Sequence, residues 1–105
     1  MSRRVLARAQ VFDVITLWAS DLDKLAGVAA EDFSVRVLRN GELVDLDVTI
    51  SEVDGSPGDY RVEVVFPTAA FYEIEIVHEA SRTVSANVFD VEEPKLSLGA
   101  RPPGG

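Results

Sequence analysis

Polar and hydrophobic residues alternate along most of this chain with a period of two, the pattern of strands that bury one face. The clearest stretch is Leu43–Val53, where Val44, Leu46, Val48 and Ile50 alternate with Asp45, Asp47, Thr49 and Ser51. Tyr60, Val62, Val64 and Phe66 make a second apolar row, with Arg61 and Glu63 on the other face. Tyr72, Ile74 and Ile76 make a third, opposed by Glu73 and Glu75. Because a one-residue slip would turn each row to solvent, these rows set their own register. Val11–Ala19 (VFDVITLWA) is apolar on both alternating sets, which predicts a strand covered on both sides. Phe33–Arg39 reads as a further strand. Thr83–Val91 is the last, with Val84, Ala86 and Val88 expected inward and Phe89 and Val91 near an end.

Turn formers separate these runs. Asn40-Gly41 is the two-residue hairpin signal, because a type I′ turn needs positive φ at both central positions. It predicts that Leu43–Val53 pairs antiparallel with Phe33–Arg39. Asp54-Gly55-Ser56-Pro57-Gly58-Asp59 closes the next connection, and Pro67 ends its strand by removing a backbone donor. Ser20–Lys24 has the makings of a single helical turn, yet Gly27 cuts it short, so residues 20–32 are read as a loop. Six or seven strands with turns every eight to twelve residues, as expected for an all-β domain, predict a single antiparallel β-sandwich of about seven strands, with a small barrel as the alternative. The strands occupy residues 11–93, residues 1–10 form a basic arm or first strand, and residues 94–105 (PKLSLGARPPGG) form an extended tail. Acidic solvent faces and single bases along the strands guard the sheet edges against pairing with other sheets.

Gly58-Asp59-Tyr60-x-Val62-x-Val64-x-Phe66-Pro67 resembles the Gly-x-Tyr-x-Val-x-aromatic-x-Pro run of immunoglobulin-like repeats of the filamin type. In those repeats a second Gly-x-Tyr strand follows; here Phe71-Tyr72 stands in that place without the glycine, and the closing strand lacks their Ser-Pro-Phe signature. The resemblance implies an immunoglobulin-like sandwich and carries no functional residue across. In size and organisation the chain also resembles small immunoglobulin-like accessory proteins of tailed-phage virions.

Charge changes the picture more than composition does. The chain of 105 residues carries a net charge of −8, yet its 18 acids all fall within residues 11–93, against five bases there. Arg3, Arg4 and Arg8 precede that body, and Lys95 and Arg101 follow it. An acidic body repels phosphate backbones, which argues against nucleic acid as a partner. No apolar run is long enough to span a membrane, and no apolar segment of signal-peptide length follows the first arginines, so a virion or a cytoplasmic setting is expected. There is no cysteine and hence no disulfide or thiolate site.

Candidate chemistry is sparse. His78, the sole histidine, lies near Ser81 and Glu79, but no nucleophile turn accompanies it, so a structural role is expected. Asp21 with Asp23, Asp45 with Asp47, and Asp54 with Asp59 offer oxygens for calcium without the ligand spacing of a dedicated loop. Neither a cofactor motif nor a catalytic constellation is present, and the expected class is a non-catalytic structural or interaction protein. Its expected partners are other protein subunits of a larger assembly, reached through the terminal arms. A carbohydrate- or calcium-binding module is the alternative. The candidate contact residues are Arg3, Arg4, Arg8, Lys95 and Arg101 on the arms, together with the aromatics Phe12, Trp18 and Phe71. Phe12 and Trp18 share one face of the first predicted strand, either as core or as an exposed row that anchors a partner.

Overall fold

A computed structural model describes residues 2–95. Eight strands follow one another: β1 (Ser2–Leu6), β2 (Gln10–Thr16), β3 (Ser34–Arg39), β4 (Glu42–Val44), β5 (Val48–Glu52), β6 (Asp59–Val65), β7 (Ala70–His78) and β8 (Thr83–Glu92), with one 3-10 turn at Ala30–Asp32. They form two sheets, β1-β8-β7-β3-β4 and β2-β6-β5. The inner faces enclose one core in an immunoglobulin-like β-sandwich.

Four expectations need correction. The sandwich is not wholly antiparallel: β1 runs parallel to β8, with Ser2 opposite Val88 and Leu6 opposite Glu92, so the basic N-terminal segment is a strand of its own sheet. Leu43–Val53 is not one strand. Only Glu42–Val44 pairs with β3, after which the chain crosses to the other sheet and β5 pairs with β6. Alternating burial continues straight through the crossing at Asp45-Leu46-Asp47, so the pattern carries no mark of the change of sheet. β2 is covered on one side only: Val11, Ile15 and Leu17 are buried, whereas Phe12, Val14 and Trp18 face solvent. In β8 the faces are reversed, with Phe89 and Val91 in the core and Val84, Ala86 and Val88 exposed. The β7–β8 register enforces that reversal, since buried Tyr72 lies opposite Phe89 and buried Ile76 opposite Ser85.

Two tyrosines organise the interior, and each also fixes a loop. Tyr60 and Tyr72 are fully buried together with Phe66 and Leu17. Phe66 packs 4.5 Å from the Tyr72 ring and 5.1 Å from Phe89, ring pairs that add about 0.5–1.5 kcal/mol beyond area burial. The Tyr72 hydroxyl donates to the Thr68 carbonyl at 3.2 Å, the tyrosine corner of immunoglobulin-like sandwiches. The Tyr60 hydroxyl donates to the Leu25 carbonyl at 2.7 Å and accepts from the Val28 amide at 3.1 Å, which holds the β2–β3 loop over the core. Asn40 and Gly41 take φ of 50° and 87°, as the hairpin reading requires.

Candidate functional site

The smaller sheet turns an uncovered apolar row to solvent. Register places Gln10, Phe12, Val14 and Thr16 of β2 opposite Val65, Glu63, Arg61 and Asp59 of β6 on that face. Phe12 is 46% exposed, Val14 56% and Val65 40%, and the Arg61 guanidinium lies 5.6 Å from the centre of the Phe12 ring. A guanidinium over an aromatic face keeps the ring accessible on its other side while adding a weak attraction. Beyond the end of β2, Trp18 is 47% exposed, and the Lys24 ammonium lies 6.0 Å from its ring. Trp18 forms an isolated backbone bridge with Lys24, which fixes the indole at the margin of this face. Trp18 is therefore an exposed residue and not part of the core.

The remaining predicted contact residues fall elsewhere. Phe71 is the second residue of β7; it is 56% exposed and lies on the outer face of the larger sheet, away from Phe12 and Trp18. Its backbone exchanges two hydrogen bonds with Asn40, the amide donating to Asn40 Oδ1 at 3.0 Å and the carbonyl accepting from the Asn40 amide at 2.7 Å. The N-terminal arginines bind their own chain. Arg3 donates to the Phe12 carbonyl at 3.0 Å, Arg4 pairs with Glu92 at 3.0 Å, and Arg8 makes a two-pronged contact with Glu93 at 2.7 and 3.2 Å. The hydrogen bond and opposite charge in the last pair raise the Arg8 pKa; its hydrogen bond lowers that of Glu93. Lys95 is exposed at the end of the described chain, and Arg101 lies outside the described residues.

At the loop end of the sandwich two carboxylates serve as structural clasps. Asp59 accepts from the Ser56 hydroxyl, from Thr16 Oγ1 at 2.6 Å and from Lys24 Nζ at 3.2 and 3.3 Å; the Ser56, Thr16 and Lys24 bonds, in that order, hold its pKa down at about 2. Glu52 accepts from the Gly58 amide at 2.9 Å and from the Gly27 amide at 3.2 Å. Gly58 has φ of 90°, and a Cβ there would come within 2.4 Å of the Lys24 Cβ, so both backbone angle and space call for glycine. These clasps knit residues 16–28 to residues 52–59. They occupy Asp59, one of the six acids considered for calcium, and no three potential ligands converge on a metal position among the described residues.

His78 is buried at the β7–β8 turn. Its Nδ1 lies 2.7 Å from Ser81 Oγ and accepts from the Ser81 amide at 3.3 Å, while Ser81 Oγ also contacts Thr83 Oγ1 at 2.8 Å. Serine and histidine here are three residues apart within one tight turn, an arrangement that braces the hairpin. The described hydrogen bonds bring no carboxylate to the imidazole.

Val14, Val65, Arg61 and Lys24 belong to the exposed face and were not among the predicted contacts. The signal was present for two of them. Val14 shares parity with Phe12, and Val65 breaks the alternation of β6 by placing a third apolar residue between Val64 and Phe66.

No protein-family model matches the chain, and no curated protein matches it. Among solved structures it is similar to the trigonal form of titin M4, at 9% identity over 89% of this chain and 86% of that one, with a TM-score of 0.40.

Proposed function

We propose that the protein is a non-catalytic interaction subunit that attaches to a larger protein assembly through the outer face of its smaller sheet. The observation that carries this reading is the row of Phe12, Val14 and Val65 with Arg61 stacked beside it, four side chains held rigidly on paired strands and available to a partner. Large aromatic and arginine side chains carry much of the binding free energy at protein interfaces, with the apolar residues around them excluding water. Because Arg4 and Arg8 already have carboxylate partners in their own chain, attachment depends less on the basic arm than its charge alone suggests. A tailed-phage virion is the setting that the chain's size and organisation favour, with the protein as a decoration or accessory subunit.

The test is co-sedimentation of a tagged chain with large assemblies from the source cells on a density gradient. Wild type is expected in the assembly fraction, and the double variant Phe12→Ser, Val14→Ser at the top of the gradient. Salt should release the protein only partly, since surface ion pairs contribute about 0–1 kcal/mol each. Complete release at modest salt would rule out the apolar mechanism. Saturable heat on titration with Ca²⁺ or with a glycan panel would favour the alternative class instead.

A further inference from the structure

Each free strand edge among the described residues carries an ionisable side chain, with one exception. β1 presents Arg3 and Arg4, the unpaired part of β3 includes Arg36, β4 begins at Glu42, and β5 lies between Asp47 and Glu52. On β2, which carries Asp13, two of the outward backbone groups are occupied: the Phe12 carbonyl accepts from Arg3, and the Val14 amide donates to Asp13 Oδ1 at 2.9 Å. Such devices keep an open sheet from pairing with another chain. The exception is the first half of β8. β1 covers only Val88–Glu92, so Thr83-Val84-Ser85-Ala86-Asn87 pairs with β7 on one side and has no described strand on the other. That segment has no ionisable residue. Its outward side chains Val84 and Ala86 are small and exposed.

Next to this edge is a crevice of about 10 Å³, room for about one water, above buried core residues. This cleft between β8 and β2 has Val11, Ile15 and Phe89 in its wall and Asp13, Ser85 and Asn87 at its mouth, bridged where the Asn87 amide donates to Asp13 Oδ2 at 3.1 Å. The adjoining half of the same edge shows what kind of strand fits. β1 packs Val5 against the core, reaches across the opening with Arg3 to the Phe12 carbonyl, and pairs Arg4 with Glu92. Basic and apolar residues along an extended segment satisfy the edge, the seam and the acidic surround together.

We infer that Thr83–Asn87 is an acceptor site for a short extended segment of a partner protein, one that carries both apolar and basic residues and lies in line with β1. The edge from Thr83 to Asn87 spans about five residues, or about 17 Å of strand. Main-chain hydrogen bonds to β8 hold the segment, its inward apolar side chain covers the cleft, and its basic side chains answer the acidic body. The site is distinct from the Phe12 face and does not depend on that reading.

The probe is the acetylated and amidated peptide Ser-Arg-Arg-Val-Leu, the sequence of β1, titrated into the full chain and followed by amide chemical shifts and hydrogen exchange. Saturable shifts and slowed exchange confined to Thr83–Asn87 and the Asp13 region are expected. Ala86→Lys, and independently Val84→Lys, should weaken binding at least tenfold with unchanged melting temperature, and a peptide with both arginines replaced by glutamate should bind at least tenfold more weakly. Val65→Ser, on the outer face of the smaller sheet and away from the cleft, should leave peptide binding unchanged. No saturation, equal binding by both lysine variants, shifts centred on Val88–Glu92 from displacement of β1, or protection of the same edge by a second copy without peptide would each overturn the inference.

Discussion

The two flanks of the sandwich, where one sheet gives way to the other, are closed by different means. On one flank the chain itself crosses: β4 leads through Asp45-Leu46-Asp47 into β5, Leu46 and Val48 pack against the core, and acids line the crossing. On the other, the covalent crossing is confined to the turn between β1 and β2 at one end, and the rest is bridged by side chains, Arg3 to the Phe12 carbonyl and Asn87 to Asp13. A covalent crossing keeps the two sheets tethered along that flank. A side-chain bridge can open locally, and local opening draws on the least stable contacts of a fold. The bridged flank is therefore the one that can open locally at lower cost.

The strongest way to break this contrast is to empty the wall of each flank. Ile15→Ala removes a buried side chain beside the cleft and should cost about 2–5 kcal/mol in denaturant unfolding, as buried truncations do, whereas half-buried Leu46→Ala should cost visibly less. Equal losses would mean that the burial of each side chain does not set the cost of truncating it.

The acid limb of stability should come next, and it belongs to neither flank. Asp59 has a folded pKa of about 2 against an unfolded value of about 3.9, so the stability it contributes is fully present above the unfolded value and is lost as pH falls from about 4 to about 2. Urea unfolding at a series of pH values should show wild type more stable than Asp59→Asn at neutral pH, with the gap closing across that window. A constant gap would place the role of Asp59 in packing rather than charge.

Asp13→Ala should have a smaller effect on stability, about 1 kcal/mol for the loss of the Asn87 bond. Its sharper consequence is local: faster amide exchange at Val14, whose N–H loses its acceptor, and at Asn87, with no change near Asp45. The smallest effect is expected for Arg4→Ala, about 0–1 kcal/mol by thermal unfolding, since its pair with Glu92 is exposed.

The interior was legible in the sequence because alternation and burial have one cause there. Tyr60 to Phe66 and Tyr72 to Ile76 lie in the rows that their spacing implied, and the Asn40-Gly41 turn is where its residue types required it. Legibility failed where a residue's neighbour belongs to a distant part of the chain. Nothing between Val44 and Ile50 records that the strand leaves one sheet for the other, because the inward side remains inward during the crossing. In β8 the apolar triad Val84, Ala86, Val88 outweighed Phe89 and Val91, although the larger pair shares the opposite parity; the polar residues of that parity, Ser85 and Asn87, are tolerated because they stand at the cleft mouth rather than in the closed core. The candidate site was half legible. Phe12 and Trp18 were identified, but their exposure depended on the absence of a covering layer, which no local pattern encodes. The basic segment was read as an arm or a first strand; it is a strand, and Glu92 and Glu93, close in space and remote in sequence, take up two of its charges.

The parallel pairing of β1 with β8 has a consequence for the order of assembly. Ser2 finds its place only opposite Val88, so this strand closes a loop that encompasses nearly the whole domain, and its entropic cost is met only after β8 has joined β7. During synthesis, the first of these eight strands to be made is the last that can dock. Contacts of such long range slow folding. The hairpin of β7 and β8 can form early, and docking of β1 then marks the moment at which the larger sheet is complete.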